Sequence, residues 1–124
     1  MMNKTREFRR GDIVLTAFPY LTDPSKVKER PAVIIQNDIG NRHSPNLIVA
    51  AISSRIPGRK YPFHFWVPLN SPQAKGTELQ KDSIVHTEVI LTIPKASVTR
   101  HIGRFNDEAM KAIDECLRTS LALS

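Results

Sequence analysis

Histidine and carboxylate side chains in the second half of the chain have the types and spacing for acid–base chemistry. From Ile84 to Ile90, the alternation typical of a strand places His86 and Glu88 on the same side. An imidazole titrates near neutrality, so beside a carboxylate it can accept and return a proton. His64 is a third candidate for this role. A polar pair that faces solvent or a neighbouring strand explains the same spacing about twice as readily, and both interpretations stay open.

The spacing of the remaining ligand-type residues does not predict a metal site. The four histidines lack the short i, i+2 or i, i+4 separations that place two imidazoles on one ion. Ligands that only folding brings together stay an open alternative. Cys116 is the only cysteine, which excludes an intrachain disulfide and a thiolate cluster, and we expect it in the core. We therefore expect neither a metal nor another cofactor.

Positive charge is concentrated in the first half of the chain. Residues 1–60 hold eleven Lys and Arg and five Asp and Glu, whereas residues 61–124 hold seven of each, so the net charge of +6 lies in residues 1–60. An asymmetric positive surface favours a polyanionic partner such as nucleic acid, because neutralising phosphates releases counterions. Solubility alone explains the charge about equally well.

Six short segments with alternating or β-branched residues predict the strands that carry these side chains. They cover residues 11–18, 32–36, 47–53, 63–69, 82–93 and 99–105. Segments rich in Pro, Gly, Asn and Ser predict loops at 20–30, 37–45, 55–60 and 70–80, and residues 94–98 predict a short helical turn. Arg30 precedes a proline, which favours extended backbone, so we expect it at a boundary between loop and strand.

The last segment predicts one amphipathic helix. Asn106 suits the N-cap, and the two acidic residues after it favour the positive end of the helix dipole. Apolar residues then recur at spacings of three and four: Met110, Ile113, Leu117 and Leu121. With 124 residues, we expect one domain over residues 1–124, mainly β, in which a small antiparallel barrel packs against this helix.

One long segment carries a family resemblance. Residues 30–45 read Arg-Pro-Ala-Val-Ile-Ile-Gln-Asn-Asp-Ile-Gly-Asn-Arg-His-Ser-Pro, and residues 48–53 continue with Ile-Val-Ala-Ala-Ile-Ser. Together they closely resemble the MazF/PemK family of toxin endoribonucleases. Arg-Gly-Asp-Ile at 10–13, Lys-Asp-Ser-Ile at 81–84, Thr-Ile at 92–93 and the helix from Asp107 to Leu123 support the match. The similarity spans nearly the whole chain, which makes it far more specific than a short motif.

The resemblance implies an SH3-like barrel of the CcdB/MazF/PemK type and metal-independent cleavage of single-stranded RNA. In that reaction the 2′-hydroxyl attacks the adjacent phosphorus and leaves a 2′,3′-cyclic phosphate, so the protein supplies a cation and moves protons. Arg30 matches the family's catalytic arginine, whose guanidinium suits phosphate oxygens. Ser53 stands where many members carry a catalytic threonine and keeps the hydroxyl. At the positions of His86 and Glu88, some members use an arginine and an acid.

The resemblance also suggests which side chains bind RNA. We expect backbone contacts or base stacking from Phe18, Tyr20, Lys26, Lys28, Asn37, Arg42, Arg55, Arg59 and Lys60. Phe63 and Trp66 are further possible platforms, and Phe65 is expected in the core. Val89 and Leu91 stand where glutamine and arginine are common in the family, which puts the usual base-reading contacts in doubt.

Three functions compete. The first is a sequence-specific mRNA interferase, the toxin of a type II toxin–antitoxin system. The others are a catalytically impaired nucleic-acid-binding relative and a gyrase-binding toxin of the CcdB type, and Arg30 with a hydroxyl at Ser53 favours the nuclease. The resemblance implies a homodimer and an antitoxin with an acidic disordered tail as partners. The polar first ten residues are followed by no apolar leader, so we expect a cytoplasmic protein without membrane contact.

Overall fold

A computed structural model describes residues 7–19 and 27–124. Within these two ranges, six strands and two helices follow one another as β1 (Asp12–Pro19), β2 (Val27–Ile34), α1 (Asp38–His43), β3 (Asn46–Ser53), β4 (His64–Val67), β5 (Ser83–Pro94), β6 (Val98–Arg104) and α2 (Asp107–Leu121). Single 3-10 turns form at Pro72–Ala74 and Lys95–Ser97. No helix among the described residues is long and apolar enough to cross a membrane.

The strands form one antiparallel sheet in the order β4-β5-β3-β2-β1-β6. β1 therefore lies between β2 and β6, although β6 comes last in the chain. Arg104 Nη1 donates to the buried Asp12 carboxylate at 2.8 Å and connects the end of β6 to the start of β1. The expected mainly β fold, with an antiparallel sheet and a C-terminal helix, is confirmed.

Side chains alternate between two apolar clusters on the two faces of the sheet. The helix-side cluster packs Val33, Ala50, Ile52 and Val85 against Ile113 of α2 and its neighbours. The opposite cluster contains buried side chains from β1, β2, β3, β5 and β6, namely Val14, Ala32, Ile34, Leu47, Val49, Ile93 and Val98, with Phe8. Because residues two apart on a strand share a face, membership of a cluster fixes the direction of every neighbouring side chain.

Helix α2 begins and ends with standard caps. Asn106 accepts the Ala109 amide through Oδ1 at 2.8 Å, which confirms the expected N-cap. At the other end Ala122 adopts a left-handed conformation with φ 56°, and its amide reaches the last turn. Cys116 is expected in the core but is only half-buried. The buried face of this helix carries Ile113 and Leu117, and Cys116 lies at the edge of that face.

Two loop expectations are wrong. Of the loop expected over 20–30, residues 20–26 lie outside the described residues, and residues 27–30 belong to β2, in which Arg30 lies opposite Thr16. Among the described residues, the ladder between β2 and β3 covers only 32–34. Pro31 is thus tolerated because one edge of the strand is unpaired there.

The loop expected over 37–45 contains α1 instead. Asn37 accepts the Gly40 amide at 2.8 Å, and Asp38 adds a carboxylate to the first turn. Asn, Asp and Gly favour turns as well as helix caps, so their clustering indicated a loop. The same Asp38 carboxylate accepts the Arg10 amide at 2.7 Å, and this bond with that from Asn41 lowers the pKa of Asp38.

The segment after β4 crosses to the last strand of the sheet. The Arg104 amide donates to the Gly76 carbonyl at 2.9 Å. The two backbones are so close that a Cβ atom on Gly103 would lie 2.4 Å from the Thr77 carbonyl oxygen. Only glycine fits this crossing without displacing backbone.

We predict that Gly103→Ala destabilises the fold by about 1–3 kcal/mol, because the added methyl overpacks rigid backbone. The measurement is the free energy of unfolding in urea. Gly58→Ala is the control, since a Cβ there meets nothing within 4 Å, and we expect it to be neutral or slightly stabilising. Equal stability of the two variants would contradict this account of the crossing.

Candidate active site

The register of three strands places the candidate catalytic residues on one face of the sheet. Ala32 lies opposite Ala51, and Ala51 lies opposite His86. Arg30 precedes Ala32 by two residues on β2, and Ser53 follows Ala51 by two on β3. Side chains two apart share a face, so the guanidinium, the hydroxyl and the imidazole all belong to the face away from α2.

Arg30 and Ser53 line one cleft of about 450 Å³. Its walls also include basic, acidic and hydroxyl side chains, namely Lys28, Glu29, Ser54 and Arg55. Ser53 Oγ accepts the Arg55 amide at 3.0 Å, which fixes the oxygen and leaves the hydroxyl hydrogen to donate. The cleft therefore offers cations and a hydroxyl donor to one bound group.

Next to this cleft, two histidines converge on one carboxylate. His64 and His86 lie opposite each other on β4 and β5, with ring centroids 4.6 Å apart. Glu88 Oε2 lies 2.8 Å from His64 Nε2 and 3.3 Å from His86 Nδ1. Since an ionised carboxylate only accepts, both of these ring nitrogens carry a hydrogen in this arrangement.

Burial and hydrogen bonding act in opposite directions on Glu88. Burial by itself raises the pKa of Glu88, but hydrogen bonds from His64, its own backbone and His86 outweigh it and hold the pKa below its ordinary value. The carboxylate is thus ionised at neutral pH. The His64 side chain is only 5% exposed, whereas those of His86 and Glu88 are 19% and 38% exposed, so the last two can meet a ligand.

A bulge in β5 brings Glu88 to the histidines. Ala50 pairs with Ile90 but Ala51 pairs with His86, so residues 87–89 are extra on β5. Thr87 anchors the bulge, because its Oγ1 donates to the Phe63 carbonyl at 2.6 Å and its own carbonyl accepts from Ser120 of α2 at 2.7 Å. Bulges recur beside active sites because they redirect side chains.

Aromatic and basic side chains surround the histidine pair. Tyr61 stacks on Phe63 at 5.2 Å and meets the His64 ring edge-on at 5.5 Å. The Arg59 guanidinium lies 5.6 Å from the Tyr61 ring centre. Lys60 Nζ lies 5.0 Å from the Trp66 ring centre. The expected basic residues 59 and 60 therefore lie beside the site.

Sequence reasoning missed Tyr61, whose ring is a candidate platform for a nucleic-acid base. The ring is partly exposed and combines stacking with a cation, which is the usual composition of such a platform. The only available signal was its position directly after the basic loop predicted over 55–60. Phe65 is partly buried in the helix-side cluster and meets Phe105 at 6.1 Å, as expected for a core residue.

The structure does not bring every expected RNA-binding residue to the cleft. Asn37 caps α1 and Arg42 is exposed on it, and α1 follows the end of β2 remote from Arg30. Tyr20 and Lys26 lie outside the described residues, as does the side chain of Phe18. Val89 and Leu91, the departures from the family pattern, are exposed at 40% and 38%.

The strand register relates the cleft to the histidine cluster. Ser53 is diagonal to His86 across β3 and β5, a relation that separates Cα atoms by roughly 7–8 Å. Arg30, Ser53 and His86 are therefore neighbours on one face of three adjacent strands. This arrangement suits a reaction in which charge builds on phosphorus.

Comparison with known proteins gives one consistent result. Residues 9–121 match the family model described as the PemK-like, MazF-like toxin of type II toxin–antitoxin systems. The chain is 39% identical over 115 residues to endoribonuclease EndoA of Bacillus subtilis, covering 93% of this chain and 95% of that protein.

Solved structures share the fold at lower identity. A mycobacterial endoribonuclease in complex with its cognate antitoxin superposes with a TM-score of 0.73 at 21% identity, covering 94% of this chain and 96% of that one. A MazE–MazF structure from Deinococcus radiodurans gives a TM-score of 0.73 at 17% identity, covering 96% and 100%. The fold expected from the resemblance is confirmed.

Proposed function

The chain belongs to the PemK-like, MazF-like toxins of type II toxin–antitoxin systems, and on this premise we propose that its cleft cleaves single-stranded RNA. The observation that carries the proposal is the shared cleft of Arg30 and Ser53, beside which His86 and Glu88 reach the same face. The relative from Bacillus subtilis is named an endoribonuclease. mRNA lies in the cytoplasm, so we propose that the protein acts there.

In the proposed reaction the RNA supplies its own nucleophile. The 2′-oxygen forms a bond to the adjacent phosphorus, the bond from phosphorus to the 5′-oxygen breaks, and a 2′,3′-cyclic phosphate remains. Arg30 stabilises the charge on the phosphorane, and Ser53 donates a hydrogen bond to a phosphate oxygen. His86 with Glu88 accepts the proton of the 2′-hydroxyl, and protonation of the 5′-oxygen completes the step. The buried His64 positions Glu88 through its 2.8 Å hydrogen bond.

The flanks of the cleft hold the rest of the strand. Lys28 and Arg55 line the cleft with Arg30 and offer charges to successive phosphates. Tyr61 with Arg59 provides a stacking surface for a base splayed away from its neighbours. Because the exposed Val89 and Leu91 cannot read bases through hydrogen bonds, we propose that sequence preference rests on these stacking and cleft contacts.

We predict that Arg30→Ala slows RNA cleavage by about 10² to 10³, the loss typical when one donor to a developing anion is removed. The measurement is single-turnover cleavage of a long single-stranded RNA in the presence of EDTA. Lys111→Ala, an exposed charge on α2 across the sheet, is the control and keeps the parental rate. If Arg30→Ala cleaved RNA at the parental rate, the Arg30 guanidinium would have no role in the mechanism.

An apolar surface beside α2 fits a second copy of the chain. Ile48, Ile90 and Leu117 line it together with Leu121 and Leu123, which are 52% and 59% exposed. Contiguous apolar surface of this kind marks an interaction site, and a two-fold dimer is the commonest way to cover it. We therefore propose a homodimer that meets along this surface.

We predict that Leu121→Lys dissociates this dimer, because each copy would have to bury an unpaired charge in the contact. Multi-angle light scattering at micromolar concentration measures the mass. Leu69→Lys, which changes a leucine of similar exposure after β4, leaves the dimer intact. A parental protein of 14.0 kDa in solution would reject the dimer itself.

We also propose that an antitoxin segment occupies the cleft. The structural relative from mycobacteria was solved with its cognate antitoxin. The cations Lys28, Arg30 and Arg55 that suit phosphates suit carboxylates as well. An acidic disordered tail would therefore compete directly with RNA.

We predict that an acidic peptide from the cognate antitoxin slows RNA cleavage competitively and that its affinity falls as salt rises, because screening weakens exposed charge pairs. Inhibition constants at low and high ionic strength provide the measurement. Arg55→Ala weakens the peptide, whereas Lys111→Ala does not. A peptide that binds without slowing cleavage would place the antitoxin elsewhere.

A further inference from the structure

We propose that His64, His86 and Glu88 form a binding site for a divalent transition-metal ion of the Zn²⁺ class, and that the bound ion switches off the cleavage reaction. The inhibitory consequence rests on the proposed function. The binding itself rests only on the positions of three side chains.

The three ligand atoms already have nearly the spacing of a metal site. Nitrogen and oxygen ligands bind Zn²⁺ at about 2.0–2.2 Å, which separates two tetrahedral ligands by about 3.4 Å. Glu88 Oε2 lies 2.8 Å from His64 Nε2 and 3.3 Å from His86 Nδ1. All three ligand atoms lie within 4.8 Å of one another. An ion is accommodated by side-chain movements of about 1 Å, with the ladder between β4 and β5 unchanged.

His64 supplies an independent observation. Its side chain is 95% buried, fixed by Phe63 and His86, and its Nδ1 makes no hydrogen bond among the described residues. A proton can thus move from Nε2 to Nδ1 without breaking another hydrogen bond, which leaves Nε2 free to bind a metal. The His64 ring is a preformed metal ligand, because its packing against Phe63 and His86 holds it in place even without the bond to Glu88.

A metal ion can reach the site from the side of His86 and Glu88. His86 and Glu88 are 19% and 38% exposed, so an ion can enter from solvent and keep water as a fourth ligand. Two imidazoles and one carboxylate favour Zn²⁺, Co²⁺ or Ni²⁺ over Mg²⁺ and Ca²⁺, which prefer oxygen ligands. The nitrogen and oxygen atoms of these three side chains therefore determine which class of metal ion the site binds.

Metal binding and RNA cleavage exclude each other in this arrangement. An ion bound to His86 Nδ1 leaves the ring hydrogen on Nε2, so the ring no longer has a free lone pair to accept the proton of the 2′-hydroxyl, and the same ion occupies the Glu88 carboxylate. Cleavage without metal and inhibition by metal are consistent, because the reaction uses these side chains in their uncoordinated form. The same three residues would make the toxin sensitive to the available pool of zinc.

The test of binding uses the full chain without an affinity tag, stripped of metal and titrated with Co²⁺, whose visible absorption intensifies in a tetrahedral site. Zn²⁺ then displaces Co²⁺ in competition. We expect one ion per chain and an affinity at least about tenfold weaker for His86→Ala and Glu88→Gln. His43→Ala and His101→Ala, which remove histidines outside the cluster, leave binding unchanged.

Mg²⁺ in large excess does not displace Co²⁺ if the site is as proposed. Parental binding by His86→Ala, or no saturable binding by the parent, would overturn the proposal and leave an ordinary hydrogen-bonded cluster. Circular dichroism checks that each variant is folded. If His86→Ala does not fold, Glu88→Gln alone tests the proposal. Glu88 is the most exposed of the three side chains, so its substitution disturbs packing least.

RNA cleavage separates this proposal from the proposed function. We expect the parent to cleave RNA in EDTA, to stop when one equivalent of Zn²⁺ is bound, and to resume when EDTA is added again. Metal binding without cleavage under any condition would reject the nuclease and keep the metal site. Cleavage that stoichiometric Zn²⁺ does not slow, despite measured binding, would reject the inhibitory role.

Discussion

The cross-strand register of Ala32, Ala51 and His86 is the constraint on which the site depends. Because side chains alternate with a period of two, it directs Arg30, Ser53 and both site histidines to one face of the sheet. A slip of one residue would turn these groups towards α2 and exchange the apolar side chains between the two clusters. The two buried clusters hold the register, so the stability of the sheet and the geometry of the candidate site depend on the same pairing.

The bulge in β5 places the Glu88 carboxylate beside the two histidines, a position that regular strand pairing would not give it. Residues 87–89 interrupt the ladder, and bonds from Thr87 and Ser120 hold the interruption against α2. The helix is remote from the cleft, yet it fixes the carboxylate of Glu88 through this contact. Core packing on one face of the sheet thereby orients polar groups on the other.

The sequence predicted much of this architecture because strands and an amphipathic helix leave periodic patterns. The pattern located β3, β5 and α2 closely and placed His86 and Glu88 on one side. It failed at α1, where capping residues resemble loop residues, and at Arg30, whose strand is unpaired on one edge. The approach of His64 to Glu88 joins residues 24 apart, so no local spacing could reveal it. Tyr61 escaped for a similar reason, since its neighbours come from tertiary packing.

The position of β6 beside β1 has a consequence for synthesis of the protein. Asp12 and Arg104, joined by an ion pair, are 92 residues apart in the chain, and β1 cannot complete its pairing until β6 exists. Sheets closed by such distant contacts form slowly and late. On the ribosome, the sheet that carries the cleft is therefore completed only after β6 has been synthesised and has left the exit tunnel.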